Sequence, residues 1–197
     1  MEKEYRQEIR LCGSGGQGII MAAIVLAEAA GVYDRKHVCQ TQSYGPEARG
    51  GTCKADVVIS SKEIDYPKAS RPSLLLAMNQ ASCDTYFLDL KPAGLLIVDN
   101  TLVRKLPIGR VAAIPFTQIA RQNIGREMAS NMVALGAFGY LCNAVSLESL
   151  ESALMERVPE GTKDLNLKAL RAGIEAAKNL DLCALPDFAR DDDDEVM

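Results

Sequence analysis

An α/β fold, layered around a mostly parallel sheet, is the class this sequence predicts, on three observations. Short apolar runs bounded by turn residues alternate with longer segments of helical character. A glycine-dense turn, Gly13-Ser14-Gly15-Gly16-Gln17-Gly18, joins an apolar run to an alanine-rich segment, in strand–turn–helix order. A second glycine-rich stretch, Tyr44 to Gly51, follows the next strand-like run, and in open α/β sheets such loops gather at one sheet edge.

Glu8 to Cys12 reads as the first strand, and Gly18 to Ala30 as a helix closed by Gly31. His37 to Thr41 reads as the second strand, and Ser43 to Gly51 as a loop of turn residues. Lys54 to Ser60 has the apolar centre of a buried strand. Leu74 to Met78 is a further apolar run, leading into a helix-like segment from Asn79 to Leu90. Pro92-Ala93-Gly94 turns the chain into a strand from Leu95 to Val98 that ends at Asp99-Asn100, and Val111 to Ile114 is the last strand. From Phe116 onward the pattern is helical, with breaks expected at Gly125 and Gly161. Gly136 and Gly139, within Asn131 to Cys142, are spaced for tight helix packing. Five consecutive acids, Asp191 to Glu195, read as a solvated tail, so the expected division is one domain over residues 1–185 and an acidic tail over 186–197.

A chain of 197 residues, 48% hydrophobic and 24% charged, is long enough for one domain with a sizeable core. Its formal charge of -4, with no basic run, speaks against nucleic acid as a partner. The longest apolar-rich segment, Ile19 to Ala30, is interrupted by Glu28 and too short to cross a membrane. The first eight residues lack the apolar core of a signal peptide, so a cytoplasmic location is expected. The six cysteines (12, 39, 53, 83, 142 and 183) form no close pair of the kind that holds zinc or an iron–sulfur cluster. They read as small buried hydrophobes, with Cys12 and Cys53 to be watched because each lies beside a glycine-rich segment. A single histidine, His37, argues against a self-contained catalytic triad; no catalytic or metal-ligating residue is expected in this chain.

The glycine turn leaves backbone N–H groups bare at a helix N-terminus, where an anionic group can dock. Taken alone it fits the dinucleotide pattern through Gly13, Gly15 and Gly18. A nicotinamide site also needs an acid at the end of the second strand to hold the ribose, and Cys39-Gln40-Thr41-Gln42 offers none. In the second loop Arg49 stands beside Gly50 and Gly51. A guanidinium fork suits phosphate or carboxylate, and residues without side chains let a ligand or a partner chain approach.

Gly13 to Gly18, Ser43-Tyr44-Gly45-Pro46-Glu47-Ala48-Arg49-Gly50-Gly51 and Ala55 to Ser60 together resemble the gamma subunit of 2-oxoacid:ferredoxin oxidoreductases. Lys91 to Asp99 and Asn131 to Ala137 fit the same pattern, and the similarity spans about residues 8 to 180. The resemblance implies a three-layer α/β/α, Rossmann-like domain with a mixed sheet. It implies a subunit without turnover of its own, in a complex that oxidatively decarboxylates a 2-oxoacid to an acyl-CoA with ferredoxin as acceptor. Thiamine diphosphate, Mg and the iron–sulfur clusters then belong to alpha, beta and ferredoxin-like delta partners. Carried over by residue, Gly15, Gly16, Gln17 and Gly18 would cradle a phosphate or the pantetheine arm of coenzyme A. Arg49, Gly50 and Gly51 would flank it, and Asn131, at a helix start, would be a further contact or else a helix cap. The Tyr44-Gly45-Pro46-Glu47 form is more similar to the 2-oxoglutarate and related multi-subunit enzymes than to the indolepyruvate type. Three alternatives remain: an assembly module whose glycine loops only pack on partner chains, an indolepyruvate-type subunit, and a nicotinamide-binding domain.

Overall fold

The computed structural model describes residues 4–44 and 51–180. The expected boundary at 185/186 and the acidic tail lie outside the described residues, as do Arg49 and Gly50. Strand β1 (Arg6–Ser14) occupies the middle of the sheet, since Ile9 through Gly13 are all buried, as a strand covered on both faces requires. Around it stand β2 (His37–Tyr44), β3 (Thr52–Ser60), β4 (Leu74–Ala77), β5 (Leu95–Asp99) and β6 (Val111–Ile114). Their order is β2-β3-β1-β4-β5-β6. β3 is antiparallel to both neighbours, while β1, β4, β5 and β6 pair in parallel, so the sheet is mixed.

The helices are α1 (Ile19–Glu28), α2 (Gln80–Tyr86), α3 (Phe116–Ile119), α4 (Ser130–Cys142), α5 (Leu147–Arg157) and α6 (Lys163–Lys178). Alternation along β4 divides the layers: Leu74 and Leu76 join the large core with α1, α4, α5 and α6, whereas Leu75 and Ala77 join a small core with Cys83 and Val103 beneath α2. The result is three layers, α/β/α.

The strands fall where expected, mostly longer than the sequence indicated, because pairing continues into polar residues. β1 and β3 stay in register for nine pairs, from Arg6↔Ser60 to Ser14↔Thr52. The first helix departs from expectation at its end. It passes Gly31 through a wider turn, Ala29–Tyr33, and stops at Arg35, whose φ of 56° lets Lys36 N–H return to the Ala30 carbonyl at 2.9 Å. Gly31 instead lies against Val38 of β2. The helical region after Phe116 breaks at Gly125 as read. The break expected at Gly161 falls instead at Val158–Pro159, with Gly161 inside a 3₁₀ turn that leads into α6. A further break at Asn143–Ser146 has Asn143 closing α4 and the Ser146 hydroxyl capping α5 at Ser149 N–H.

Candidate functional site

β1, β4 and β5 are parallel, and the turns after their C-terminal ends gather on one edge. The order reverses beside β1: the chain moves from β1 outward to β2 in one direction and later fills β4 to β6 in the other. A crevice at such a switch point is where open α/β sheets take ligands. The glycine loop occupies it.

The loop is closed by its own side chain. The Gln17 amide oxygen accepts from Ser14 N–H at 2.7 Å, and its Nε2 donates to the Met78 carbonyl at 3.2 Å, tying the end of β1 to the end of β4. A Cβ on Gly13 would stand 2.6 Å from that Gln17 oxygen, so the bare backbone at Gly13 is what lets Gln17 fold in. Gly18 begins α1 with φ 72°, and its carbonyl accepts from Asn131 Nδ2 at 3.2 Å. Asn131 is buried and is the second residue of α4, so it joins the starts of α1 and α4 and is not the cap of its own helix. Gln17 and Asn131 therefore act on the loop's shape, with both amide groups used inside the protein.

Gly15 and Gly16 differ in kind. Both are exposed, and a Cβ on either would meet nothing within 4 Å among the described residues. Gly15 N–H donates to the Gly51 carbonyl at 3.3 Å, the point where the second loop meets the first. The encounter follows from register: Gly13 and Tyr44 both lie opposite Cys53, on either side of β3, so the ends of β1 and β2 share one edge. Among the described residues, the N–H groups of Gly16, Gly18, Ile19 and Ile20 meet no acceptor, which leaves a cluster of donors at the positive end of α1.

Cys12 and Cys53 carry no chemistry here. Burial pushes the Cys12 thiol up to about 12 and also raises Cys53, so neither is a thiolate near neutral pH. Among the described residues no three His, Cys, Asp or Glu side chains group so as to hold a metal ion. No helix among them is long and apolar enough to cross a membrane. A cleft of about 780 Å³ opens at the opposite end of the sheet, between Gln7, Lys36, His37 and Asn143. Two of its charged groups are already used. Lys36 Nζ donates to the Ala144 carbonyl at 2.7 Å, and Asp34 accepts from Ser146 and Ser149 at the start of α5. The glycine edge, with donors to spare, is the better site.

Sequence reasoning missed the turns after β4 and β5. The Asn79 side chain caps α2 by accepting from Ser82 N–H at 2.8 Å. The Asp99 carboxylate, fully buried, accepts from Thr101 N–H and Thr117 N–H, both at 3.0 Å, and so fixes the chain on either side of β6. Asn79 followed by an uninterrupted helical run was the readable signal for the first; the reach of Asp99 to Thr117 had none, since that partner lies 18 residues away. Also missed was Arg10, buried in β1, whose guanidinium grips Asp56 directly opposite in β3 at 2.7 and 3.1 Å and reaches Asp89 as well.

Residues 8–176 match the model of the pyruvate ferredoxin/flavodoxin oxidoreductase family. The chain is 49% identical over 181 residues to the 2-oxoglutarate synthase subunit KorC of Methanocaldococcus jannaschii, covering 90% of this chain and 97% of that one. Among solved structures, the gamma subunit of a keto/oxoacid ferredoxin oxidoreductase from Geobacter sulfurreducens superposes with a TM-score of 0.80 at 45% identity, over 88% of this chain and 99% of its own. The 2-oxoglutarate:ferredoxin oxidoreductase of Magnetococcus marinus, solved with 2-oxoglutarate, coenzyme A and succinyl-CoA bound, gives 0.79 at 26% identity. That match covers 91% of this chain but 32% of the longer Magnetococcus chain.

Proposed function

The chain belongs to the pyruvate ferredoxin/flavodoxin oxidoreductase family as a gamma-type subunit, and from that premise we propose that its glycine edge binds a phosphate of coenzyme A. Catalytic alpha and beta partners, with a ferredoxin-like delta chain, then oxidise and decarboxylate the 2-oxoacid and pass electrons to ferredoxin. Thiamine diphosphate, Mg and the iron–sulfur clusters reside in those partners. Among the described residues this chain offers no grouping of donors for a metal. The assignment of 2-oxoglutarate as substrate rests on the 49% identity to a 2-oxoglutarate synthase subunit. The complex is soluble and cytoplasmic.

One observation carries the coenzyme A reading: Gly15 and Gly16 are exposed, with open space where side chains would stand, above N–H groups that meet no acceptor among the described residues. An anion docked there gains hydrogen bonds to fixed donors and the favourable end of the α1 dipole, without desolvating a charged side chain. Gln17, Gly18 and Asn131 keep that surface in shape; Gly51 abuts it, and Arg49 and Gly50 adjoin Gly51 in the chain. The subunit's contribution is to hold the thiol carrier while partner chains perform the bond changes. The coenzyme A bound in the Magnetococcus relative supports the same reading.

The assembly-module alternative, in which the glycine loops only pack on partner chains, keeps those loops but loses its second support, the small residues of α4. Those are used within the chain: Gly136 faces the Leu170 backbone and Gly173 of α6 faces the Val133 backbone. The nicotinamide alternative loses its topology as well. β3 separates β2 from β1, so no strand carrying a ribose-binding acid lies beside β1 on that side.

Gly15→Ala is the direct test, because a methyl group there meets no atom of the described residues within 4 Å. In the assembled complex the variant should keep wild-type thermal stability and kcat while the KM for coenzyme A rises about tenfold, the effect of one lost charge-assisted contact. An unchanged KM would remove the loop from the site.

A further inference from the structure

The turn after β5 carries two cations that nothing in the fold consumes. Arg104 and Lys105 are exposed and make no ion pair with any described carboxylate. Their backbone is held firmly. The Gln80 amide oxygen accepts from both Arg104 N–H and Lys105 N–H at 2.9 Å, and Gln80 Nε2 donates to the Lys105 carbonyl at 3.0 Å. Next to them Val103 is buried in the small core, and its N–H returns to the Asp99 carbonyl at 2.8 Å. Gln80 is the first residue of α2, two places after Met78, whose carbonyl receives Gln17 of the glycine loop. An unbroken chain of contacts thus runs from the glycine loop through Met78 and Gln80 to Arg104 and Lys105. A side chain able to make three hydrogen bonds to one exposed turn fixes where two mobile cations begin.

We propose that Arg104 and Lys105 are a second phosphate-binding element of the same ligand site, reading the 3′-phosphate of coenzyme A while the glycine loop takes its diphosphate. This rests on the reading that coenzyme A occupies the glycine loop. The turns after β1, β4 and β5 succeed one another along one edge, so the turn that carries the cations stands two strands away from the glycine loop. A ligand that uses both must carry two separated phosphates. Coenzyme A has a diphosphate and a 3′-phosphomonoester on one ribose. The two elements also suit these groups differently: fixed N–H donors fit a diphosphate pressed against backbone, while a guanidinium and an ammonium fit a dianionic monoester that remains half in water. Gln80 acts through the turn and is a positioning residue.

The test compares coenzyme A with 3′-dephospho-coenzyme A in the complex assembled with its catalytic partners. The ratio of their kcat/KM values should fall about tenfold in R104A/K105A, the loss of one or two charge-assisted contacts. R104K/K105R should retain most of the preference, and Lys168→Ala, an exposed cation on α6, should leave both constants unchanged. Gly15→Ala serves as the separate arm, lowering kcat/KM for both ligands alike. A preserved ratio in R104A/K105A with an effective Gly15→Ala overturns this assignment and leaves the loop reading standing. A collapsed ratio with an inert Gly15→Ala supports the cation pair and overturns the loop instead. No effect from either variant overturns both.

Discussion

Gly18 carries two separate requirements, and only one concerns the backbone. Its φ of 72° costs an L-residue about 1–2 kcal/mol, and a Cβ would also run into the Asn131 amide. Gly18→Ala should therefore destabilise the chain by about 2–4 kcal/mol in urea unfolding, more than backbone strain alone accounts for. Pairing it with Asn131→Ala decides the matter. The double variant should recover part of the loss, because the clash is gone and strain remains. Equal losses with and without Asn131 would mean that the amide yields freely. A side chain that meets the loop from 113 residues away is invisible to any local pattern. Gly15 and Gly16, by contrast, were legible as open backbone, because no described side chain stands where their Cβ atoms would be and the one distant contact is the backbone bond from Gly15 N–H to the Gly51 carbonyl. Four of the cysteines were legible too: Cys12, Cys53, Cys83 and Cys142 are buried, and burial raises Cys12 to about 12 and Cys83 and Cys142 to about 11. Cys39 is only half-buried, and Cys183 lies outside the described residues.

At the scale of elements, the contact between α4 and α6 governs how close the helical layer sits. Gly136 faces the Leu170 carbonyl and Gly173 faces the Val133 carbonyl, each so near that a methyl group would overlap backbone. Backbone cannot rotate aside as a side chain can, so the helices must separate. Gly136→Ala should cost about 3 kcal/mol or more, read as a lower urea midpoint with an unchanged slope. Gly173→Ala should cost a similar amount, and the two together less than their sum, since one separation relieves both clashes. Additive losses would show two independent contacts. The small-residue spacing in α4 was readable, but its use was not: sequence alone allowed a partner helix as readily as one from the same chain. Gly139 likewise meets Leu150 of α5 inside the domain. The end of α1 was misread at Gly31. Gly31 has no left-handed φ and only an ordinary contact with Val38, and the reversal falls four residues later, on Arg35, whose φ is positive.

For the molecule as a whole, acid stability follows from carboxylates the fold holds ionised. Burial pushes the Asp34 carboxyl up, but the Ser149 hydroxyl, Ser146 N–H and hydroxyl, and Lys36 together outweigh it and hold the group below its ordinary value. The Arg171 pairing lowers Glu151 likewise, against a smaller opposing effect of burial. A depressed folded-state value contributes stability above the unfolded value, and that contribution is lost as pH falls through the folded one. Asp34→Asn should thus narrow the stability gap to wild type below about pH 4, with the gap constant from about pH 5 upward. Urea midpoints between pH 3 and 7 measure it. A gap that does not change across this range would show that Asp34 is held by shape and not by charge.

The sequence by itself determined the class of fold, the six strands, the glycine edge and, through the paired loops, the family. Each of these is written in short-range pattern: alternation, turn residues and spacing fix backbone conformation within a few neighbours. Only the tertiary structure decided that β3 runs against its neighbours, that Gln17 and Asn131 shape the loop from inside, and that Gln80 holds two cations beside it. Those facts depend on which segments meet after long stretches of chain. Contacts of that kind are set by the packing of whole layers, and no local run of residues records them.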